Sequence, residues 1–174
     1  MNSTQSLSLR DRQTDANDTD VMSSVQAHDR RALEKLYLTY YGPLARFLSR
    51  IVAQTSAVDE IINDTFVTIW MCAEEFRGES RVAAWIFGIV YRTALQSKGL
   101  HRLRASLSTD FTSENSYVDR VERRLNCLPL EECVTLALAY QMGFSIDEIA
   151  GITQVAPATV KIRMSHASTD LRGN

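Results

Sequence analysis

The chain has little of several features that mark particular classes of protein. Its 174 residues include only seven glycines and three prolines, which favours helices over a fold of many short strands. The three cysteines, Cys72, Cys127 and Cys133, form no Cys-x-x-Cys pair, so we expect neither a disulfide framework nor a metal site. No apolar run reaches about 18 residues, and the first residues lack the basic-then-apolar pattern of a signal peptide. These absences predict a cytoplasmic protein with no membrane insertion.

Positive charge is scarce as well. The 19 basic and 21 acidic residues give a formal net charge of −2, whereas a protein that holds DNA by electrostatics alone is usually basic. Any DNA binding is therefore expected to be local or shared with a larger partner. The three histidines are scattered, and there is no glycine-rich phosphate loop or His/Cys metal spacing. We expect neither an enzyme nor a protein that needs a cofactor or a metal.

The last quarter of the chain predicts a helix-turn-helix. Residues 144–171 read FSIDEIAGITQVAPATVKIRMSHASTDL, in which Ser145 and Glu148 have the spacing of a capping box. Gly143 suits the end of the preceding helix, and Pro157 suits the first turn of the following one. The second helix of this motif enters the DNA major groove. We expect its inward side chains to be Val160 and Met164, and its outward side chains to be Lys161, Ile162, Arg163, Ser165 and His166.

Composition and periodicity divide the chain into four parts. Residues 1–22 are rich in Ser, Thr, Asp, Asn and Gln, and are expected to form a disordered tail. Residues 23–97 carry apolar side chains at helical spacing. Residues 98–117 are mostly polar and aperiodic, and are expected to form a flexible linker before a second helical part at 118–174. The expected fold is all-α, with two small helical domains joined by that linker.

These motifs, in this order, resemble the extracytoplasmic-function (group IV) sigma factors of bacterial RNA polymerase. The strings that carry the resemblance are VDEIINDTFVTIW, FRGES, AAWIFGIVYRTAL, Leu128-Pro129, FSIDEIA and ATVKIR. The resemblance implies that residues 23–97 are sigma region 2, a helical bundle that binds core polymerase and the −10 element. It implies that residues 118–174 are region 4, whose helix-turn-helix binds the −35 element. The implied function is promoter selection under the control of an anti-sigma factor.

The resemblance also implies which residues meet each partner. The helix VDEIINDTFVTIW would dock on the clamp helices of the polymerase β′ subunit, which are basic and so complement its acids, while region 4 would meet the β flap. The implied polymerase-binding residues are Asp59, Glu60, Asn63, Asp64, Phe66 and Trp70. Opening promoter DNA needs a pocket for a flipped base and a surface for the single strand. The implied −10 residues are Phe76, Arg77, Gly78, Ser80, Arg81, Tyr91 and Arg92. The implied −35 residues are Thr159, Lys161, Ile162, Arg163, Ser165 and His166.

The chain departs from the family pattern at several positions. Gly88 and Ser168 stand where basic residues are common, and Tyr91-Arg92 stands where a basic residue and Asn are common. We expect Trp85 to lie in the core and Tyr91 to be exposed. Two alternatives stay open: a sigma-like decoy that binds an anti-sigma factor without initiating transcription, and a conventional helix-turn-helix regulator that binds operators as a dimer.

Overall fold

The computed structural model describes residues 3–52, 55–97 and 128–172, with side chains for residues 15–52, 56–97 and 128–170. Every regular element in these ranges is helical, as predicted. The α-helices are α1 (Ser3–Gln26), α2 (Arg30–Ile51), α3 (Thr55–Cys72), α4 (Val82–Gln96), α5 (Leu130–Leu136), α6 (Ile146–Thr153) and α7 (Pro157–Arg172). A 3₁₀ turn, Ala73–Glu75, follows α3, and a π-helical turn, Ala137–Gln141, continues α5. The predicted linker and residues 118–127 of the predicted second domain lie outside the described residues.

Helices α1 to α4 form a bundle around the apolar stripe of each helix. Asp29 begins α2 as an N-cap, because its carboxylate accepts a hydrogen bond from the Arg31 N–H at 2.8 Å. The helix then continues through Pro43. Its inward face repeats at the three- and four-residue spacing that keeps side chains on one side of a helix. The fully buried side chains of α2 to α4 include Leu36, Leu44, Phe47, Leu48, Ile51, Ile61, Ile62, Ile69, Ile86 and Phe87.

The prediction of a disordered tail over residues 1–22 is wrong, because α1 covers most of that segment. Val21, Met22 and Val25 are buried in the bundle core, although the residues around them are polar. The hydroxyl group of Thr19 is satisfied within the helix, because its Oγ1 donates to the backbone carbonyl of Asp15, four residues earlier, at 2.9 Å. A few apolar anchors therefore outweigh the polar composition of the segment.

A buried hydrogen bond fixes α1 to α2. The Tyr40 hydroxyl donates to Asp18 Oδ2 at 2.5 Å, and Asp18 is only 3% exposed. Burial, followed by the bond to Asp18, raises the pKa of Tyr40, so the phenol stays protonated and able to donate. Because a buried carboxylate without a donor is costly, this pair favours one placement of α1 on the bundle.

The helix-turn-helix packs against the bundle instead of standing apart from it. Helix α6 lies on α4, and α5 contacts α2. Phe144, Ile149 and Ile152 belong to the same continuous core as Phe87. The two predicted domains therefore form one body in this structure, and α6 covers one side of α4.

We expect Met22→Ala to lower the free energy of unfolding by roughly 2–5 kcal/mol, because it removes a fully buried side chain. Urea denaturation followed by circular dichroism measures the change. Thr19→Ala changes an exposed position of the same helix and should stay within about 0.5 kcal/mol of the parent. Equally small effects of the two substitutions would restore the interpretation of this segment as a tail.

Candidate functional site

The helix-turn-helix is built from the local bonds that its sequence predicts. The Glu148 N–H donates to the Ser145 hydroxyl at 3.3 Å, and the Ser145 N–H donates to Glu148 Oε2 at 2.8 Å. These two bonds complete the predicted capping box of α6. Gly143 adopts a left-handed φ of 70° just before it, and Gln154 ends α6 with a φ of 56°. The capping box thus fixes where α6 begins, and the left-handed Gln154 ends α6 before α7.

Helix α7 presents most of the predicted −35 residues to solvent. Val160 is fully buried and Met164 half-buried, so the inward side of the helix is the predicted one. An exposed isoleucine, Ile162, is suited to contact the methyl group of a thymine. Of the six predicted residues, Lys161, Ile162, Ser165 and His166 are exposed, whereas Thr159 and Arg163 are half-buried.

An acidic side chain behind α7 was missed by the sequence analysis. Glu132, on α5, is 8% exposed, and its Oε2 atom has no hydrogen-bond partner among the described residues. Its Oε1 atom lies 3.8 Å from Nδ1 of His166. Burial raises the pKa of Glu132, Asp170 raises it further, and His166 opposes the rise. The carboxylate of Glu132 therefore lies close to the imidazole of His166, which is itself exposed.

The loop between the 3₁₀ turn and α4 forms an open pocket of 530 Å³. Arg77, Gly78 and Ser80 are exposed there, and Gly78 adopts a left-handed φ of 73°. Phe76 is buried and meets Trp85 edge-on, with ring centroids 5.5 Å apart. Trp85, predicted to lie in the core, is half-buried and forms part of the pocket wall. The lining residues are Glu75, Phe76, Arg77, Glu79, Ser80 and Trp85, of which Glu75, Glu79 and Trp85 were not among the predicted −10 residues.

Arg81, another predicted −10 residue, is paired with the helix-turn-helix. Its Nη2 donates to Glu148 Oε2 at 2.9 Å, and its Nε donates to Glu148 Oε1. The guanidinium also lies over the Phe144 ring, 5.3 Å from the centroid. A two-bond arginine–carboxylate pair is both strong and directional. The predicted DNA contact is therefore occupied by a carboxylate of the second domain.

The expectation of an exposed Tyr91 is wrong, because its side chain is buried in the folded structure. A Cβ added at Gly88 would stand 3.9 Å from the Ile152 Cα, and Tyr91, one turn further along α4, is 8% exposed. Burial raises the pKa of Tyr91, while the cationic Arg163 of α7 opposes the rise. The predicted −10 residue Arg92 remains exposed. The structure thus brings a predicted −10 residue close to a predicted −35 residue.

Helix α3 carries the predicted polymerase-binding acids on its outward face. Asp59, Glu60 and Asp64 are exposed, as is Asn63. The Tyr41 hydroxyl of α2 donates to Asp59 Oδ1 at 2.6 Å, and this bond raises the pKa of Tyr41. The tyrosine therefore orients one carboxylate at the edge of an otherwise solvated acidic face.

An apolar groove of 440 Å³ runs beside this acidic face, between α2 and α3. Phe66 and Trp70, both predicted, line it, although Phe66 is only 5% exposed. Val67, 59% exposed, lines it too, and Met71, one turn further along α3, is 79% exposed. Val67 and Met71 were not predicted from the sequence, although they follow Asn63 at four-residue intervals and so share its helix face. Exposed apolar side chains grouped beside acids are typical of an interaction surface.

Comparison with known families covers both halves of the chain. The sigma-70 region 2 model matches residues 36–104, and the sigma-70 region 4 model matches residues 119–171. This chain belongs to the sigma-70 family. Helix α1 precedes the residues that the region 2 model matches. None of the described helices of this sigma-70 protein combines the length and apolarity needed to cross a bilayer.

Relatives place the protein in the extracytoplasmic-function group. The ECF RNA polymerase sigma factor SigM of Mycobacterium tuberculosis is 27% identical over 88% of this chain and 82% of its own length. The RNA polymerase sigma-H factor of Pseudomonas aeruginosa is 23% identical over 88% of this chain and 91% of its own. The chain is therefore an alternative sigma factor, a transcription initiation factor that directs RNA polymerase to promoters and is not an enzyme.

Two solved structures share the fold. CnrH, in complex with the cytosolic domain of CnrY, has a TM-score of 0.71 at 22% identity, covering 89% of this chain and 94% of that one. The sigma factor RpoE from Bartonella quintana, in complex with the anti-sigma factor NepR, has a TM-score of 0.61 at 20% identity, covering 80% and 93%. At these identities the likeness establishes the helical architecture.

Acid should weaken the contact between the two domains. Burial by itself would raise the pKa of Glu148, but hydrogen bonds from Arg81 and Ser145 outweigh it and hold the pKa below the ordinary 4.5. A carboxyl with a lowered folded pKa stabilises the fold above its unfolded pKa, and this stability is lost as pH falls through the folded value. The parent should therefore be more stable than Glu148→Gln at neutral pH, and the difference should shrink below pH 4.5.

Urea denaturation at a series of pH values measures this difference. Asp147→Asn is the matched control, because it removes an exposed charge from the same first turn of α6. The same dependence on pH in both variants would show that the bond to Arg81 is not its source.

Proposed function

We propose that this sigma factor docks on core polymerase through α3, opens the −10 element at the loop before α4, and reads the −35 element with α7. The observation that carries the proposal is the outward face of α3, where exposed acids border a groove with exposed Val67 and Met71. Such a face offers charge complementarity to a basic partner and apolar area to hold it. The site of action is the cytoplasm, where the polymerase works.

Removing charge from α3 should weaken polymerase binding. Glu60→Ala combined with Asp64→Ala is expected to raise the Kd for core polymerase about tenfold, with the largest effect at low salt, because electrostatic attraction is lost. Fluorescence anisotropy of the labelled protein with purified core measures the Kd. Asp20→Ala with Asp147→Ala removes the same charge from exposed positions of α1 and α6 and should change it less than about twofold. Equal effects of the two double variants would contradict docking through α3.

The contact between the domains supports a closed, inactive arrangement. Two of the three guanidinium nitrogens of Arg81 bond Glu148, so this edge is closed to a DNA phosphate, and Tyr91 is buried while the two domains are in contact. Promoter opening therefore requires the helix-turn-helix to separate from the bundle. An anti-sigma factor would act by holding the two domains together until a signal arrives. The complexes of CnrH with CnrY and of RpoE with NepR support this kind of partner.

Lys161→Ala should weaken transcription from promoters that depend on a −35 element. Loss of one base-reading contact is expected to cost about 1–3 kcal/mol of recognition. Run-off transcription with core polymerase, on promoters from the protein's own genome, measures the loss. Thr169→Ala, exposed further along α7, should transcribe like the parent.

This assay, together with binding measurements on core polymerase and on promoter duplex alone, separates the competing functions. Normal transcription by Lys161→Ala would remove α7 as the −35 reader. If the parent bound core polymerase but gave no selective transcripts, the decoy alternative would be favoured. Operator binding without polymerase would favour the conventional regulator.

A further inference from the structure

The end of α1 is hydrogen-bonded to the 3₁₀ turn that precedes residues 76–81, the loop before α4 that is proposed to open the −10 element. Gln26, the last residue of α1, donates from Nε2 to the carbonyl of Ala73 at 3.1 Å and to the carbonyl of Phe76 at 2.8 Å. The two carbonyls belong to the first residue of the 3₁₀ turn and to the residue that follows it, and the turn is closed by the Phe76 N–H donating to the Ala73 carbonyl at 3.1 Å. One amide group therefore spans the whole turn.

Gln26 is held rigidly enough to act as a support. Its neighbour Val25 is fully buried, as is Met22 one turn earlier. The buried bond between Asp18 and Tyr40 fixes the same helix further back. The donor amide thus projects from a packed helix, and Gln26 itself is half-buried. Side chains that bond to the backbone of a binding site in this way hold the site to its working geometry.

Phe76, whose carbonyl accepts from Gln26, forms part of the wall of the pocket at this loop, which is called the −10 pocket below. The Phe76 ring packs on Trp85, and both residues line the pocket with Arg77. Beyond Arg77 the loop is exposed and passes through the left-handed Gly78. At its far end the loop is restrained by the bond from Arg81 to Glu148, which is lost when α6 leaves α4. Both bonds from Gln26 join parts of the bundle to each other, so they do not depend on the contact between α6 and α4.

We infer that Gln26 is a positioning residue for the −10 pocket, holding Phe76 and the start of the loop in the shape that receives a single-stranded base. The inference rests on the proposed −10 function of this loop. It makes α1, which precedes the residues matched by the region 2 model, a structural part of promoter reading.

The test uses the full chain bound to core polymerase. Two probes are compared: a single-stranded oligonucleotide and a duplex, carrying the −10 and −35 sequences of a promoter selected by run-off transcription. Gln26→Leu keeps the size of the side chain but removes the donor. It should weaken binding of the single strand about tenfold, because a displaced site loses affinity steeply. Duplex binding and core binding should stay at the parent level.

Companion variants make the result decisive. Ser23→Ala, at an exposed position of α1, should match the parent for both probes. Gln26→Asn keeps an amide with a shorter reach, should give an intermediate loss, and serves as the test if leucine impairs folding. Arg77→Ala tests the loop itself and should weaken binding of the single strand.

Three results would overturn the inference. If Gln26→Leu bound the single-stranded probe like the parent while Arg77→Ala bound it more weakly, Gln26 would have no positioning role and the proposed −10 site would stand. If Arg77→Ala also matched the parent, the proposed −10 site would fall too. Equal loss for the single strand and the duplex would assign Gln26 to general stability.

Discussion

The pair between Arg81 and Glu148 joins the two domains, and their relative placement depends on it. The Glu148 carboxylate bonds to two partners, because it closes the capping box with Ser145 and also accepts from Arg81. The capping box therefore holds the carboxylate in position independently of the first domain. Packing of Phe144 beside the pair limits water, which strengthens a charge-assisted hydrogen bond. Because the pair is directional, it selects which face of α6 meets α4.

Features set by local physics could be predicted from the sequence. The capping box at Ser145 depends on residues three apart, and the two sides of α7 follow from helical spacing around Val160. The acidic face of α3 follows from spacing as well, since Glu60 and Asp64 are one turn apart. The helical architecture and the order of the motifs then sufficed to indicate the family.

Features set by contacts distant in the chain could not be predicted. Arg81 had the pattern of a DNA-binding cation, but its partner Glu148 lies 67 residues away, and no local signal joins them. Tyr91 is buried, and the charges near it, Arg163 and Glu131, belong to the second domain, which sequence periodicity in α4 does not encode. Helix α1 was missed because composition averages over a segment, whereas folding depends on individual anchors such as Met22 and Asp18.

The ring contact between Phe87 and Phe144 has a thermal consequence. The centroids lie 5.1 Å apart, and both rings, with the adjacent Ile152, are buried while the domains touch. Separating the domains would hydrate this apolar surface, which raises the heat capacity. The free energy that opposes such hydration weakens on cooling. Cold therefore shifts the balance toward separated domains, and warmth within the stable range of the fold favours their contact.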